Sequence, residues 1–138
     1  MANAAPGRVM PIIAVPSVDA VRAFYVDTLG FTHVMGMVGK DGQLDFCTVM
    51  LGAASIMFSR SQDPAPPAGH QPVEIYLEVA DVDALHAALA ARGVPISDPL
   101  VLQWWGDRTF KVHDPNGYAL WFYTNVADPV PPAGAKLV

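Results

Sequence analysis

Two stretches of the chain carry the same apolar pattern. "VMPIIAV" at 9–15 and "VEIYLEV" at 73–79 are apolar runs of strand length. Apolar residues at helical spacing follow each run: Val18, Val21 and Tyr25 after the first, Val82, Leu85 and Leu89 after the second. Ser17 and Asp81 stand just before these helices, where a side-chain oxygen can accept a free first-turn N–H. Gly30 and Gly93 stand just after them, where the left-handed C′ conformation costs glycine nothing. Three shorter extended segments complete each copy. In the second copy "DPNG" at 114–117 supplies a tight turn, with proline at its second position and glycine for positive φ. The pattern predicts βαβββ, twice.

A shift of 64 positions superimposes the two copies. Val9 falls on Val73, Val15 on Val79, and "VDAV" at 18–21 on "VDAL" at 82–85. Ala23 falls on Ala87, Gly42 on Gly106, Phe46 on Phe110 and Phe58 on Phe122. The shift predicts an α+β fold with two tandem modules in one domain spanning 1–138, the first at 8–60 and the second at 72–125. Proline-rich "SQDPAPPAGHQ" supplies a linker at 61–71, and 126–138 reads as an irregular proline-rich arm.

Composition narrows the function classes. Only 15% of the 138 residues are charged and 52% are hydrophobic, which suggests self-association or an apolar ligand cavity. The net charge is −5 and the eight basic residues form no stripe, so nucleic acid is not an expected partner. An acidic protein of this kind tolerates a cationic ligand better than an anionic one. No apolar run has the length of a membrane span, and the opening "MANAAPGRVMPIIAV" does not read as a signal peptide. Cys47 is the only cysteine and lies in the apolar run "LDFCTVML", where a buried thiol is expected. A reducing cytoplasm is the default location.

Three segments carry a family resemblance. "PIIAVPSVDAVRAFYVDTLGF", "EIYLEVADVDALHAALAARGVPI" and "WGDRTFKVHDPNGYALWFY" resemble, in order, the first opening, second opening and closing hairpin of vicinal oxygen chelate proteins. That superfamily includes glyoxalase I, extradiol dioxygenases, fosfomycin-modifying enzymes and bleomycin resistance proteins. The resemblance implies that each module curls a sheet into a half-open cup with the active site inside. It also implies metal ligands, usually His and Glu, on the first and last strands of the modules. Counting seven residues back from Ser17 and Asp81 puts those positions at Met10 and Glu74, and the last-strand positions at Met57 and Trp121. Of the four only Glu74 suits a hard or borderline metal. His33, His70, His86 and His113 fall at none of them.

Bleomycin resistance proteins also lack the metal set and act by binding the drug. Their closing segment is similar to Trp105-Gly106, Arg108, Phe110, Asp114-Pro115 and Gly117, and their opening strand to "MPII". In that branch the active protein is a dimer with ligand grooves between the chains. The resemblance therefore implies a metal-independent homodimer, without cofactor, that sequesters an aromatic or apolar small molecule. The alternative is an enzyme of the same fold, of glyoxalase, lyase or dioxygenase type. It would use Glu74 as general base or recruit metal through other ligands. A third possibility is a module of a larger assembly with a vestigial cup.

The ligand-binding candidates are Trp105, Trp121, Glu74, Met10, Met57, Tyr76 and Arg108, with no catalytic residue and no metal ligand among them. Each has a plainer reading. Trp121, Met10 and Met57 are equally suited to filling a core. Trp104 points away from Trp105 in an extended segment and suits packing or a dimer contact. Glu74 alternates with Tyr76 and Glu78, as on an exposed sheet face. Arg108 would pair with Asp107 or Asp114 at the surface.

Overall fold

In a computed structural model of the chain, residues 7–61 and 71–138 are described. His70 and most of the proline-rich linker lie outside them. The chain divides into two compact units, Met1–Ala65 and Pro66–Val138.

The first unit runs β1 (Ile12–Val15), α1 (Val18–Ala23), a π-helical turn (Phe24–Thr28), β2 (Thr32–Val38), β3 (Leu44–Leu51) and β4 (Ala54–Arg60). The second runs β5 (Glu74–Glu78), α2 (Val82–Ala91), β6 (Asp98–Leu102), β7 (Asp107–His113) and β8 (Ala119–Asn125). Each unit is a four-stranded mixed sheet, ordered β1-β4-β3-β2 and β5-β8-β7-β6. The first and last strands pair in parallel and the other pairs are antiparallel. Neither sheet closes on itself, and the fold is α+β with two tandem βαβββ modules.

The helix caps follow from single side chains. Ser17 Oγ accepts from the Ala20 amide at 3.1 Å and Asp81 Oδ1 from the Ala84 amide at 3.0 Å. Gly30 (φ 86°) and Gly93 (φ 77°) then reverse the chain in the left-handed conformation. In the second unit Asp114 Oδ1 accepts from the amides of Asn116 and Tyr118, and this fixes the β7–β8 turn.

Alternation sends one set of side chains under each helix. Ile13, Val15, Cys47, Val49, Ile56 and Phe58 meet Val18, Val21 and Tyr25 in the first unit, all buried. Leu77, Phe110, Val112, Leu120 and Phe122 meet Val82 and Leu89 in the second, also buried. Fully burying such side chains stabilises by about 1.5–3 kcal/mol each before the entropy of ordering them is charged against it. Cys47 belongs to this layer, and burial pushes its thiol pKa up, as suits a packing residue.

The 64-residue shift does not hold throughout. The Leu29 amide bonds to the Phe24 carbonyl, a π-type step that adds one residue to the first helix relative to α2. The equivalence is 63 where Gly30 answers to Gly93, returns to 64 at the β2–β3 and β6–β7 hairpins, where Gly42 does answer to Gly106, and is 63 again within the third strands, where Thr48, opposite Met57, answers to Lys111, opposite Trp121. The longer β7–β8 turn restores 64 in the last strand, where Phe58 does answer to Phe122. The match of Phe46 to Phe110 is therefore coincidental. A one-residue slip reverses the face of a strand side chain. Phe110 lies under α2, edge-on to His86 at 5.1 Å, whereas Phe46 lies on the face away from α1.

One further expectation changes. The first strand begins at Ile12, so Met10 precedes it. The segment after β8 has no regular structure but is anchored. The Val126 and Ala127 amides both donate to the Gly106 carbonyl, and the Val130 amide donates to the Trp104 carbonyl at 2.7 Å.

Candidate functional site

The helix-free face of each sheet carries most of the candidate residues. In the first unit one row of Cα partners crosses all four strands: Ile12, Met57, Thr48 and Met35. Met37, Phe46 and Met50 lie on the same face. Met35 and Met37 are exposed, and Phe46, Met50 and Met57 are half-buried. The face is thus lined by methionines, which are flexible, polarizable and suited to aromatic contact. Only Met57, with Met10 just ahead of the strand, was legible as a candidate here. Met35, Met37 and Met50 follow from the strand pairing and were missed.

The corresponding row of the second unit is Tyr76, Trp121, Lys111 and Asp98. It is polar and aromatic. The Lys111 ammonium sits 4.3 Å from the centroid of the Trp121 ring, 3.2 Å from Asp98 Oδ2 and 3.6 Å from Glu74 Oε1. Its side chain is only 13% exposed, so the charge is held between two carboxylates and a π face. Lys111 was not foreseen. The turn "DPNG" pairs His113 with Ala119, and two steps along the ladder that register sets Lys111 opposite Trp121, so the signal was present.

Beside this row Tyr76 organises a network. Its hydroxyl donates to Asp107 Oδ2 at 2.7 Å and accepts from Trp105 Nε1 at 2.8 Å. Asn125 Nδ2 donates to Asp107 Oδ1 at 2.9 Å. The Tyr76 ring stacks on Tyr123, centroids 4.4 Å apart and planes at 22°, and lies 6.0 Å from Trp121. The Tyr123 hydroxyl donates to Glu78 Oε2 at 3.2 Å. Desolvation and the neighbouring Asp107 push the Tyr76 phenol pKa up to about 12, and desolvation with the Glu78 bond raises that of Tyr123. Both phenols stay protonated at neutral pH.

The structure thus brings Trp105, Trp121, Tyr76 and Glu74 together on one face. It does not bring Arg108 there. Arg108 points to the helix side, where its Nε and Nη2 bond to the Asp83 carboxylate at 2.9–3.0 Å. The expected partners Asp107 and Asp114 are not its partners, because alternation puts Asp107 on the opposite face. Trp104 is exposed in the β6–β7 turn, edge-on to Trp105 at 5.6 Å. Two clefts open elsewhere on this unit. One of about 300 Å³ is lined by Glu78, Val79, Ala80, Thr124 and Asn125, and one of about 370 Å³ by Leu102, Gln103, Trp104, Ala127, Asp128 and Val130. Neither includes Trp121 or Glu74.

The residues at the four positions where the resemblance implies metal ligands do not fit a metal. Met10 and Met57 offer thioethers, Trp121 offers no lone pair, and the Glu74 carboxylate is engaged by Lys111. The described histidines are placed otherwise: His33 accepts from Arg22 Nε at 3.0 Å, His86 packs on Phe110, and His113 is exposed at the end of β7. Among the described residues no three of His, Cys, Asp or Glu are grouped to hold a metal ion, and no helix is long and apolar enough to cross a membrane.

Comparison with known proteins agrees with this architecture. An uncharacterized protein of Mycobacterium bovis is 28% identical over 117 residues, covering 78% of this chain and 76% of its own. A Mycobacterium tuberculosis protein, also uncharacterized, has the same identity and span, with 68% of its own length covered. Among solved structures, TioX from Micromonospora sp. ML1 superposes with a TM-score of 0.71 at 24% identity, over 87% of this chain and all of that one. A glyoxalase-related enzyme from Clostridium phytofermentans superposes with a TM-score of 0.72 at 17% identity, over 88% of this chain and 97% of its own. At these identities the likeness is one of fold. Residues 6–122 match the family model of the Glyoxalase/Bleomycin resistance protein/Dioxygenase superfamily, and the chain belongs to that superfamily.

Proposed function

We propose that this chain is a metal-independent binding protein that sequesters an aromatic or largely apolar small molecule, in the manner of the bleomycin resistance branch of its superfamily. The Lys111 ammonium carries the proposal. It lies against Glu74 and Trp121, two of the positions where relatives of enzymatic type hold ligands, so a bound cation there would meet a fixed like charge. What remains is recognition surface: methionines on one sheet, stacked and tilted aromatic rings on the other. Protein purified without chelator is expected to contain no stoichiometric zinc, iron, nickel or manganese. A panel of flat aromatic antibiotics should contain at least one that raises its melting temperature. Ligand at a hundred times its dissociation constant stabilises by about 2.7 kcal/mol, well within the reach of a thermal shift. One metal per chain by elemental analysis would overturn the proposal and restore the enzyme reading.

The same reading includes a homodimer in the cytoplasm. Charged residues make up 15% of the chain, and Ile12, Met35, Met37 and Val38 expose between 46% and 64% of their surface on the first unit. Light scattering after size exclusion should give about twice the 14.7 kDa chain mass at micromolar concentration. A mass of one chain at every concentration contradicts it.

A further inference from the structure

We infer that the outer face of Tyr76 is the stacking surface of the second unit, and that Glu74 and Glu78 beside it select a planar aromatic ligand bearing positive charge. This rests on the sequestration reading and names the chemistry of the ligand. Tyr76 belongs to β5, at the edge of the sheet. Its side chain crosses over β8, lies flat on Tyr123 and reaches Asp107 on β7. The ring is therefore held beneath by a second ring and at its tip by two hydrogen bonds. Even so, 44% of the residue is exposed. Tyr123 covers one face of the ring, which leaves the opposite face as the one on which a ligand would stack. A ring already fixed in place loses little further freedom when a ligand stacks on it.

The neighbouring rings are less available. One face of Trp121 holds Lys111, and the Trp105 indole N–H is spent on the Tyr76 hydroxyl. Both instead set the position of Tyr76 or close its border.

The charge around the ring points to a cation. Glu74 and Glu78 flank Tyr76 on the same face of β5. Asp98 and Asp107 belong to that face as well, against Lys111, so four carboxylates and one ammonium leave it at −3. His113, at the end of β7, can add at most one positive charge. A phenol that donates to a carboxylate is richer in π density, and the ring quadrupole already attracts a cation held over it. The polar atoms beneath the ring are mutually satisfied, so they hold it without competing for the ligand.

The test uses three flat tricyclic probes that differ in charge at pH 7: 9-aminoacridine as the cation, phenazine as the neutral ring and anthracene-9-carboxylate as the anion. Calorimetric titration of the full chain should rank them in that order, with about tenfold or more between cation and anion at low salt. Glu74→Gln with Glu78→Gln should shrink that gap to within about threefold, since Lys111 keeps Asp98 as partner. Tyr76→Leu should weaken all three, and Tyr76→Phe, which keeps the ring but not its tethers, should fall between Leu and the parent. Circular dichroism of each variant establishes that it is folded. Binding that ignores charge, or that survives Tyr76→Leu unchanged, overturns the inference and leaves the sequestration reading standing. If none of the probes binds to folded protein the inference also fails, and sequestration is then judged by its own antibiotic panel.

Discussion

Replacing Gly106 by alanine should detach the segment after β8 from the β6–β7 turn and lower the stability of the second unit by roughly 2–4 kcal/mol. Gly106 has φ 98°, a conformation that costs any residue with a Cβ. An added Cβ would also sit far inside van der Waals contact distance of the Ala127 carbonyl oxygen, with the Ala127 and Asp128 carbonyl carbons close behind. All of these are backbone atoms, so no side-chain rotation relieves the clash. The same segment is tied to Gly106 through its carbonyl, which accepts from the Val126 and Ala127 amides at 3.0 and 3.1 Å. Moving away from the new methyl breaks those bonds. Trp104 and Trp105 immediately precede the glycine, so intrinsic fluorescence reports both the local detachment and the unfolding midpoint. Gly134→Ala is the control. Gly134 is also left-handed, at φ 84°, but has open space where the Cβ would go, so Gly134→Ala should lose only the left-handed strain of about 1 kcal/mol and unfold clearly later than Gly106→Ala. Equal midpoints for Gly106→Ala and the wild type would mean that the segment after β8 does not pack as described.

That anchoring shows where the sequence stops being informative. Features set by residues a few positions apart were readable: the Ser17 and Asp81 caps, the glycines that end the helices, and the Asp114 turn. Each is a local hydrogen bond or backbone preference that needs no knowledge of the rest of the chain. The two modules were readable for a related reason, since both bury the same face of strand and helix. The π-helical turn was not. One extra residue in a helix leaves the apolar pattern nearly intact, and a longer hairpin turn later cancels it. The single 64-residue shift therefore matched at both ends and misassigned the third strands, where Phe46 and Phe110 face opposite ways. The site followed the same division. Trp121, Tyr76 and Glu74 came from strand alternation and from counting along the chain. The partners that define their chemistry come from other strands or from the helix: Lys111 over Trp121, Asp107 under Tyr76, and Asp83 25 positions from Arg108. Charge pairing of that kind depends on how a helix lies on a sheet, and no local pattern encodes it.

Two adjacent residues, Trp121 and Phe122, offer the sharpest test of which face of β8 is recognition and which is core. Phe122 is fully buried under α2, stacked on Phe110 with centroids 5.3 Å apart. Phe122→Ala leaves a cavity that its neighbours fill only partly, and should cost about 3–5 kcal/mol. Trp121 faces the other way, half-buried, with Lys111 over it and Tyr76 beside it. Trp121→Leu keeps that face apolar and introduces no unpaired polar group. It should lower stability by only about 1 kcal/mol, largely the lost cation–π contact. Its main effect should be on binding. An aromatic neighbour contributes about 0.5–1.5 kcal/mol beyond its buried area, so affinity for a flat ligand should fall up to about tenfold. Trp105→Leu should weaken binding too, because it releases the Tyr76 hydroxyl from one of its two bonds. Denaturant midpoints and calorimetric titrations on the three variants separate the effects: a large midpoint loss for Phe122→Ala, and a loss of affinity with little change in midpoint for the two tryptophan variants. If Trp121→Leu instead unfolds as early as Phe122→Ala and binds as tightly as the wild type, the indole fills a core and the helix-free face of β8 is not a binding surface.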